Sequence, residues 1–385
     1  MALPVRILFF TLFLLIWGFA VAYLYRRLVR DLTAHRGLRF AGAALLFTLA
    51  GGAMLGRTVF RGAGMSHWIA ICLGLCIALV LYTLLSVVVV DLVRWAIGMR
   101  RKDPGPVNPE RRAFLARAVA GSSLVSGGAL AGWGVYRAYE PARIHEVTVR
   151  LAGLPKTLEG FTIAQLSDLH IGSILQQKYV DDLVLRTNGF KPDLVAITGD
   201  LVDGSPAEVG GFVGRLTGLQ SRMGTYFCSG NHDYYSGWDT WARHLTGLGI
   251  KVLKNEKVVI GDAGGSFDLL GVEDYASRQN PAGYDPDVAA RGRDPTRASV
   301  LMSHQPGGFD DGVRLGIGLQ LSGHTHGGQT FPATGIAALI WGPRAVGLSR
   351  EGNSQLFVSR GCGFVGPPIR LGSPREIIKV VLLPA

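Results

Sequence analysis

Long apolar runs dominate the first 140 residues, and short alternating runs separated by polar, glycine-containing segments follow them. A helix that crosses a bilayer needs about 20 apolar residues. Four runs reach or approach that length, at approximately 7–25, 40–56, 68–90 and 118–136. The second run is the shortest, and Arg117 interrupts the start of the fourth. The pattern predicts a membrane region over residues 1–140 with about four transmembrane helices.

The arginines of this region predict the direction in which the helices cross. The loops after the first and third runs are rich in arginine, whereas the loop between the second and third runs has only Arg57 and Arg61. Basic loops stay in the cytoplasm. Four crossings of a bacterial inner membrane then place the chain after Tyr136 on the extracytoplasmic side. The prediction requires that the second run crosses.

Arg111 and Arg112 stand before the fourth run and allow two interpretations. Paired arginines before a mildly apolar, Gly/Ser/Ala-rich segment are typical of a twin-arginine export signal, which would carry a folded domain across the membrane. The same pair could anchor a transmembrane helix on its cytoplasmic side. Both interpretations place the C-terminal domain outside.

Charge is divided unevenly along the chain, which has a formal net charge of +11. Residues 1–140 contain 16 basic and 5 acidic residues, whereas residues 141–385 contain 23 of each. All the excess positive charge therefore accompanies the apolar runs. The division predicts a lipid bilayer as the partner and argues against nucleic acid.

From about Ile144 onward the pattern predicts a second domain, over residues 141–385, built from strands and covering helices. Five β-rich runs each deliver histidine, aspartate or asparagine into a loop. The runs are Phe161–Leu166, Asp193–Thr198, Thr225–Ser229, Ser299–Met302 and Leu319–Leu321, followed by SDLHIG, GDLVDG, GNHDYY, SHQPGG and SGHTHGGQ. Helical patterns over Gln176–Phe190 and Trp238–Gly249 lie between them. The domain is predicted to be α/β, with its site at the carboxyl ends of the strands.

The polar residues at these strand ends form a set that suits metal binding. They are Asp168, His170, Asp200, Asn231, His232, His304, His324 and His326. Imidazole nitrogens with carboxylate and amide oxygens favour Mn, Fe or Zn. One carboxylate can bridge two ions, an arrangement that serves displacement at phosphorus. The set predicts a centre with two divalent metal ions.

The ordered blocks DLH, GD, GNHD, SHQP and GHTHGG resemble the calcineurin-like metallophosphoesterase superfamily over roughly residues 160–330. The C-terminal segment Phe357–Ile377 further resembles the ending of bacterial membrane-associated members. The resemblance implies a two-sheet α/β sandwich with helices outside. The whole chain is then expected to have N-terminal transmembrane helices followed by this sandwich.

The resemblance also implies a role for each site residue. It assigns one metal ion to Asp168, His170, Asp200 and His326. It assigns the second to Asp200, Asn231, His304 and His324, with Asp200 bridging. His232 would stabilise phosphoryl charge or protonate the leaving oxygen, Asp233 would orient His232, and a hydroxide between the metals would attack. Asp203 is interpreted as a turn residue before Gly204.

Together these features predict a membrane-anchored, metal-dependent hydrolase of a phosphoester or pyrophosphate bond. A phospholipid or lipid-linked phosphate is the preferred substrate, because the enzyme is held at the bilayer. A phosphodiesterase acting on a soluble or cyclic nucleotide is the alternative. A membrane scaffold without turnover is an alternative of another class, although the complete set of ligand residues argues against it.

Four further residues carry smaller expectations. Cys228 and Cys362 could pair in an oxidising compartment, but no spacing motif supports a disulfide, and we expect them to remain unpaired. Arg360 and Arg370 could meet a substrate phosphate. A structural role in the C-terminal segment is the preferred interpretation of both arginines.

Overall fold

The computed structural model describes residues 3–59, 66–99 and 109–385. Contacts divide the chain into two compact units. The first comprises Met1–Val59 and Trp68–Val135, and the second contains Tyr136–Ala385. Each unit is described by itself.

The first unit is helical, and each of its four helices contains one of the predicted apolar runs. The helices are α1 (Leu3–Tyr25), α2 (Arg36–Val59), α3 (His67–Met99) and α4 (Pro109–Tyr139). All four are longer than the runs from which they were predicted. Residues that flank the apolar runs continue each helix.

Two stretches in the described part of the chain are long and apolar enough to cross a bilayer. They are Trp68–Gly98 within α3 and Pro109–Tyr139 within α4. The side chains of residues 3–10 and 53–59 lie outside the described part, so crossings by α1 and α2 stay predictions. The two candidate spans indicate membrane association, and the count of four crossings stays a prediction.

The first sheet of the second unit has six strands in the order β1-β12-β2-β3-β4-β5. Its strands are β1 (Arg143–Leu151), β2 (Phe161–Leu166), β3 (Leu194–Thr198), β4 (Thr225–Cys228), β5 (Lys251–Val252) and β12 (Glu376–Pro384). Strands β2 to β5 are parallel, and β12 runs antiparallel to β2. The final strand of the chain thus lies inside this sheet rather than at its edge.

The second sheet also has six strands, in the order β10-β11-β9-β8-β7-β6. Its strands are β6 (Glu256–Asp262), β7 (Gly265–Gly271), β8 (Ser299–Met302), β9 (Leu319–Ser322), β10 (Gly347–Glu351) and β11 (Ser354–Val358). Strands β7, β8, β9 and β11 are parallel, while β6 and β10 pair antiparallel at the two edges. The mixed sheets agree with the predicted α/β class.

Seven helices accompany the sheets. They are α5 (Gln177–Gly189), α6 (Pro206–Val213), α7 (Asn231–Tyr235), α8 (Trp238–Gly247), α9 (Pro286–Ala289), α10 (Phe309–Arg314) and α11 (Ala333–Trp341). The predicted helices over Gln176–Phe190 and Trp238–Gly249 match α5 and α8 within two residues at each end. Trp241 of α8 is buried in a cluster with Phe227 of β4, so this helix covers the outer face of the first sheet.

The main core lies between the two sheets. Phe161 of the first sheet meets Phe267 of the second edge-on, with ring centroids 5.2 Å apart. Ile163 and Val300 belong to the same buried cluster, which draws residues from both sheets. The predicted two-sheet sandwich with outer helices is therefore confirmed. Its packing brings the carboxyl ends of β2 and β9 together, since Gln165 Nε2 donates to the carbonyl of Ser322 at 2.9 Å.

Cys228 and Cys362 are both buried free thiols. They belong to different hydrophobic clusters, Cys228 between the sheets and Cys362 on the helix-covered side. The thiol of Cys362 donates to the carbonyl of Glu376. Both cysteines are therefore packing residues of the core.

Candidate metal centre

The loops that follow five strands converge where the two sheets meet. Asp168 follows β2 and accepts a hydrogen bond from the backbone N–H of His324, which follows β9, at 2.9 Å. The ring of His304, after β8, lies 2.9 Å from the carbonyl of Thr198 at the end of β3. Each contact joins one sheet to the other, so residues distant in sequence share one site.

One group of potential ligands consists of Asp168, His170 and His326, whose ligand atoms all lie within 4.8 Å of one another. The Nε2 atoms of the two histidines are 3.1 Å apart. His326 Nε2 lies 3.3 Å from Asp168 Oδ1. All three side chains are buried. These are three of the four residues that the resemblance assigns to the first metal ion, the fourth being Asp200.

A second group consists of Asp200, His304 and His324. His304 Nε2 lies 3.1 Å from Asp200 Oδ2, and His170 Nε2 lies 3.8 Å from the same oxygen. Asp200 therefore belongs to the second group and also lies next to His170 of the first. The ligand atoms of a third group, His170, Asp200 and His232, also all lie within 4.8 Å of one another.

Two buried atoms of this site indicate what would occupy it. His304 Nε2 and Asn231 Oδ1 have no hydrogen-bond partner among the described residues. The other nitrogen of His304, Nδ1, donates to the Thr198 carbonyl, so Nε2, 3.1 Å from Asp200 Oδ2, is the nitrogen directed into the centre. The side-chain oxygen of Asn231 is a buried acceptor without a partner in the described part of the chain, which is costly. A cation satisfies both atoms, so the residues fit divalent metal ions.

The charges of the site also require cations. Burial raises the pKa of Asp168, because the opposing effects of His304 and His170 do not offset its desolvation and the nearby Asp200 carboxylate adds to it. Burial would likewise raise the pKa of Asp200, but His304 and His170 outweigh it and hold that pKa below the ordinary value. Burial, followed by His304, lowers the pKa of His324 to about 4, which keeps its imidazole neutral and able to coordinate.

A fully buried arginine supports His326. Arg370 Nη2 donates to His326 Nδ1 at 2.8 Å, and its Nη1 donates to the carbonyls of Arg360 and Ser373 at 2.9 and 3.1 Å. Burial, and then Arg370, lower the pKa of His326 well below its ordinary value. Arg370 thus has the structural role that was the preferred interpretation. Arg360 is engaged by the carboxylate of Glu376 at 3.0 Å.

The ligand residues themselves hold unusual backbone conformations. Asp168, His170, Asp200, His324 and His326 all have positive φ values, between 48° and 72°. Non-glycine residues rarely adopt this left-handed region, and such strain concentrates at functional sites. Each turn aims its side chain into the centre instead of continuing along the strand. The left-handed backbone conformation of these residues cannot be predicted from the sequence pattern alone.

Glycines allow the loops to approach one another around these ligands. A Cβ on Gly230 would collide with the side chain and backbone of Asp200. A Cβ on Gly323 would collide with the side chains of Asp168 and Ser167. These two positions therefore admit only glycine, because any larger residue would lack space. The backbone conformation is not the reason, since neither glycine has a positive φ.

His232 lies at the open side of the centre, and its partner differs from the expected one. Its Nδ1 lies 2.6 Å from Asp203 Oδ1, and the other oxygen of Asp203 lies 3.1 Å from His170 Nδ1. His170 and His232, with Asp203 between them, pack edge-on at 4.7 Å between ring centroids. Asp203, interpreted from the sequence as a turn residue, therefore orients both histidines.

Asp233, the expected partner of His232, has a different task. Its two oxygens accept hydrogen bonds from the backbone N–H groups of Gly230, Asp200 and Leu201 at 2.7, 3.0 and 2.9 Å. No hydrogen bond joins it to His232 within the described part of the chain. Burial, and then Asp200, raise the pKa of Asp233, while the backbone N–H groups of Gly230 and Leu201 stabilise its ionised form. Asp233 therefore holds the loop at Asp200 and Leu201 in place. The expectation that Asp233 orients His232 needs correction, because His232 contacts Asp203 instead.

The model of the calcineurin-like phosphoesterase family matches residues 161–328. An uncharacterised metallophosphoesterase of Campylobacter jejuni is 30% identical over 388 residues, which cover 97% of this chain and 97% of that protein. The chain belongs to this family. Every proposed metal ligand, together with His232, Asp203 and Asp233, lies inside the matched range.

Two further relatives match over part of their length. An uncharacterised metallophosphoesterase of Helicobacter pylori is 36% identical over 65% of this chain and 66% of its own length. A transmembrane protein with metallophosphoesterase domain from Danio rerio is 33% identical over 68% of this chain and 62% of its own length. The chain thus spans just under two thirds of these two relatives. Both relatives are named as metallophosphoesterases, and the name of the Danio rerio protein adds that it is a transmembrane protein.

Proposed function

We propose that this protein is a membrane-anchored hydrolase of phosphoester or pyrophosphate bonds that uses two divalent metal ions. The observation that carries the proposal is Asp200, a buried carboxylate next to two groups of ligands. Asp168, His170 and His326 would hold one ion with Asp200. Asn231, His304 and His324 would hold the other with Asp200. Mn, Fe or Zn suits this mixture of nitrogen and oxygen donors.

The bound ions would supply charge that neutralises a phosphoryl group and lowers the pKa of water at the site. The chain's own contribution centres on His232, whose side chain is 26% exposed and open to a substrate. Asp203 accepts a hydrogen bond from Nδ1–H, so Nε2 is the nitrogen that would face a reacting group. His232 Nε2 would hold the proton that the leaving oxygen needs.

The apolar helices favour a substrate in the membrane. An enzyme fixed to a bilayer meets lipid headgroups at high local concentration, which favours a phospholipid or lipid-linked phosphate. A soluble or cyclic nucleotide is the second candidate, because a partly open site with an exposed Tyr235 beside His232 could also accept a base. A scaffold without turnover would not need the orphaned acceptor of Asn231.

The substrate class can be tested with a membrane-lipid extract. We expect the purified, Mn-loaded protein to release phosphate or a phosphorylated headgroup from one lipid species, detected by mass spectrometry of the extract. The Asp200→Asn variant supplies the blank. Turnover of cyclic nucleotides with an unchanged lipid profile would support the second candidate instead. Absence of bound metal and of turnover on every substrate would contradict the enzyme proposal.

We further propose that the protein crosses the bacterial inner membrane several times, with residues 141–385 on the extracytoplasmic side. The arginine-rich loops support this orientation. Leu185 of α5 is 72% exposed, so a Leu185→Cys variant offers an accessible thiol. A membrane-impermeant maleimide should label it in intact cells. Labelling only after cell lysis would reverse the orientation.

A further inference from the structure

Helix α11, over Ala333–Trp341, is an apolar helix on the protein surface. All nine of its residues are described, and none is buried. Ile336, Leu339 and Ile340 expose 52%, 87% and 71% of their surface, and Phe331 just before the helix exposes 48%. Residues 331–343 contain no charged side chain. Single exposed apolar residues are ordinary, but a contiguous group of this kind marks an interaction surface.

The helix stands at the rim of the metal centre. It follows the turn that carries His326, and the ring of Trp341 at its end lies 6.2 Å from that of His324. Arg344, after the helix, pairs with Asp310 and Glu351, both at 2.8 Å. These ion pairs hold the end of α11 to α10 and β10. The end of the helix therefore lies next to His324, a proposed metal ligand.

The second unit also contains the end of α4, the helix that includes a candidate membrane span. Ala138 is fully buried in a cluster with Leu175 and Phe364. Tyr139 meets Phe364 edge-on, with ring centroids 6.0 Å apart. Arg375 Nε donates to the carbonyl of the next residue, Glu140, at 2.9 Å. The last turn of α4 is therefore firmly attached to the segment around Phe364.

That same segment carries the base of α11. Val365 N donates to Gln329 Oε1 at 2.8 Å, and Gln329 Nε2 donates back to the Val365 carbonyl at 3.0 Å. Phe331 N donates to the Leu371 carbonyl at 2.8 Å. A continuous set of contacts thus runs from the end of a candidate span, through residues 364–371, to the exposed apolar helix.

We propose that α11 lies in the interfacial layer of the bilayer that holds α4, with Ile336, Leu339 and Ile340 directed toward the acyl chains. Nine residues make a helix about 14 Å long, which is too short to cross a membrane. An apolar helical surface of this size is suited to the headgroup boundary. The contact would set the mouth of the metal centre at the membrane surface. This inference rests on membrane anchoring and is independent of whether the centre hydrolyses a phosphate.

The test uses the full-length protein in nanodiscs of phosphatidylethanolamine and phosphatidylglycerol, with one copy in each disc. Cys72→Ala and Cys76→Ala remove the two cysteines that are not buried. Leu339→Cys is then labelled with an environment-sensitive nitrobenzoxadiazole dye. Val259→Cys is the matched control, because Val259 is an apolar residue on the edge strand β6 and is 52% exposed.

We expect the dye at Leu339 to emit at shorter wavelength and to lose most of its emission when the discs contain doxyl-labelled lipid. The dye at Val259 should keep the spectrum that it has in water. A water-like, unquenched spectrum at Leu339 would overturn the proposal. A shifted but unquenched spectrum would also overturn it, since another part of the protein would then cover the helix. Ile336→Cys provides a second position should Leu339→Cys fail to fold.

Discussion

Replacing Asp200 by asparagine is expected to lower kcat on a chromogenic phosphodiester by at least about a thousandfold. Asp200 Oδ2 lies near ligand nitrogens of both groups, 3.1 Å from His304 and 3.8 Å from His170. An amide lacks the charge that two adjacent dications require, so the variant should lose at least one ion. A metal ion contributes several kcal/mol to such a reaction, and about 4 kcal/mol corresponds to a thousandfold change in rate.

The measurement combines kcat with metal content by elemental analysis of the same sample. Asp239→Asn is the matched control, since the carboxylate of Asp239 is 89% exposed on α8, where it pairs only with a surface lysine. The control should retain two ions per chain and the activity of the unaltered protein. Equal activity of the Asp200→Asn and Asp239→Asn variants would refute the dinuclear assignment.

The convergence of the polar residues at the site could be predicted from the sequence because each of them is local to the end of a strand. A buried strand such as β3 can be recognised from five consecutive apolar or small residues, and the glycine and aspartate after it mark the turn. Parallel strands align their carboxyl ends, so separate turns must converge. His304 and Asp200, a hundred residues apart, could therefore be assigned to one site without any knowledge of their contact.

The partners of the histidines could not be predicted in the same way. Asp203 reaches His170 because Ile171 and Val202 form an isolated bridge between two loops, and Asp203 N donates to the Ile171 carbonyl at 3.0 Å. A single bridge leaves no periodic pattern in the sequence. The second aspartate of GDLVDG was the available signal, but a turn explains it equally well.

The exposed helix α11 was also beyond a sequence prediction. Its nine residues contain isoleucine, leucine and tryptophan, a composition that is ordinary for a helix in a protein core. Only the packing shows that these side chains are exposed. The N-terminal runs could be assigned to a membrane from their length, a criterion that α11 does not meet.

Replacing Asp203 and Asp233 in parallel separates orientation of the histidines from support of the backbone. Asp203→Asn should lower kcat by about 10- to 100-fold, the usual cost of losing a residue that orients ligands and catalytic groups. One amide oxygen cannot accept from both His170 and His232, and the amide nitrogen would face one of their N–H groups. The side chain of Asp203 is 22% exposed, so the folded state should tolerate the substitution.

Asp233→Asn should instead act on stability. Both oxygens of Asp233 accept backbone N–H groups, so an amide leaves at least one buried N–H without an acceptor, which costs about 1–3 kcal/mol. In a domain of this size each kcal/mol lowers the midpoint of thermal unfolding by about 2–4 °C.

Circular dichroism melting of both variants, with kcat measured well below each midpoint, separates the two effects. A normal kcat for Asp203→Asn, together with a stable but inactive Asp233→Asn, would return the orienting role to Asp233, as the resemblance implied. The opposite result would show that the contact across two loops, rather than the adjacent carboxylate in GNHD, positions His232.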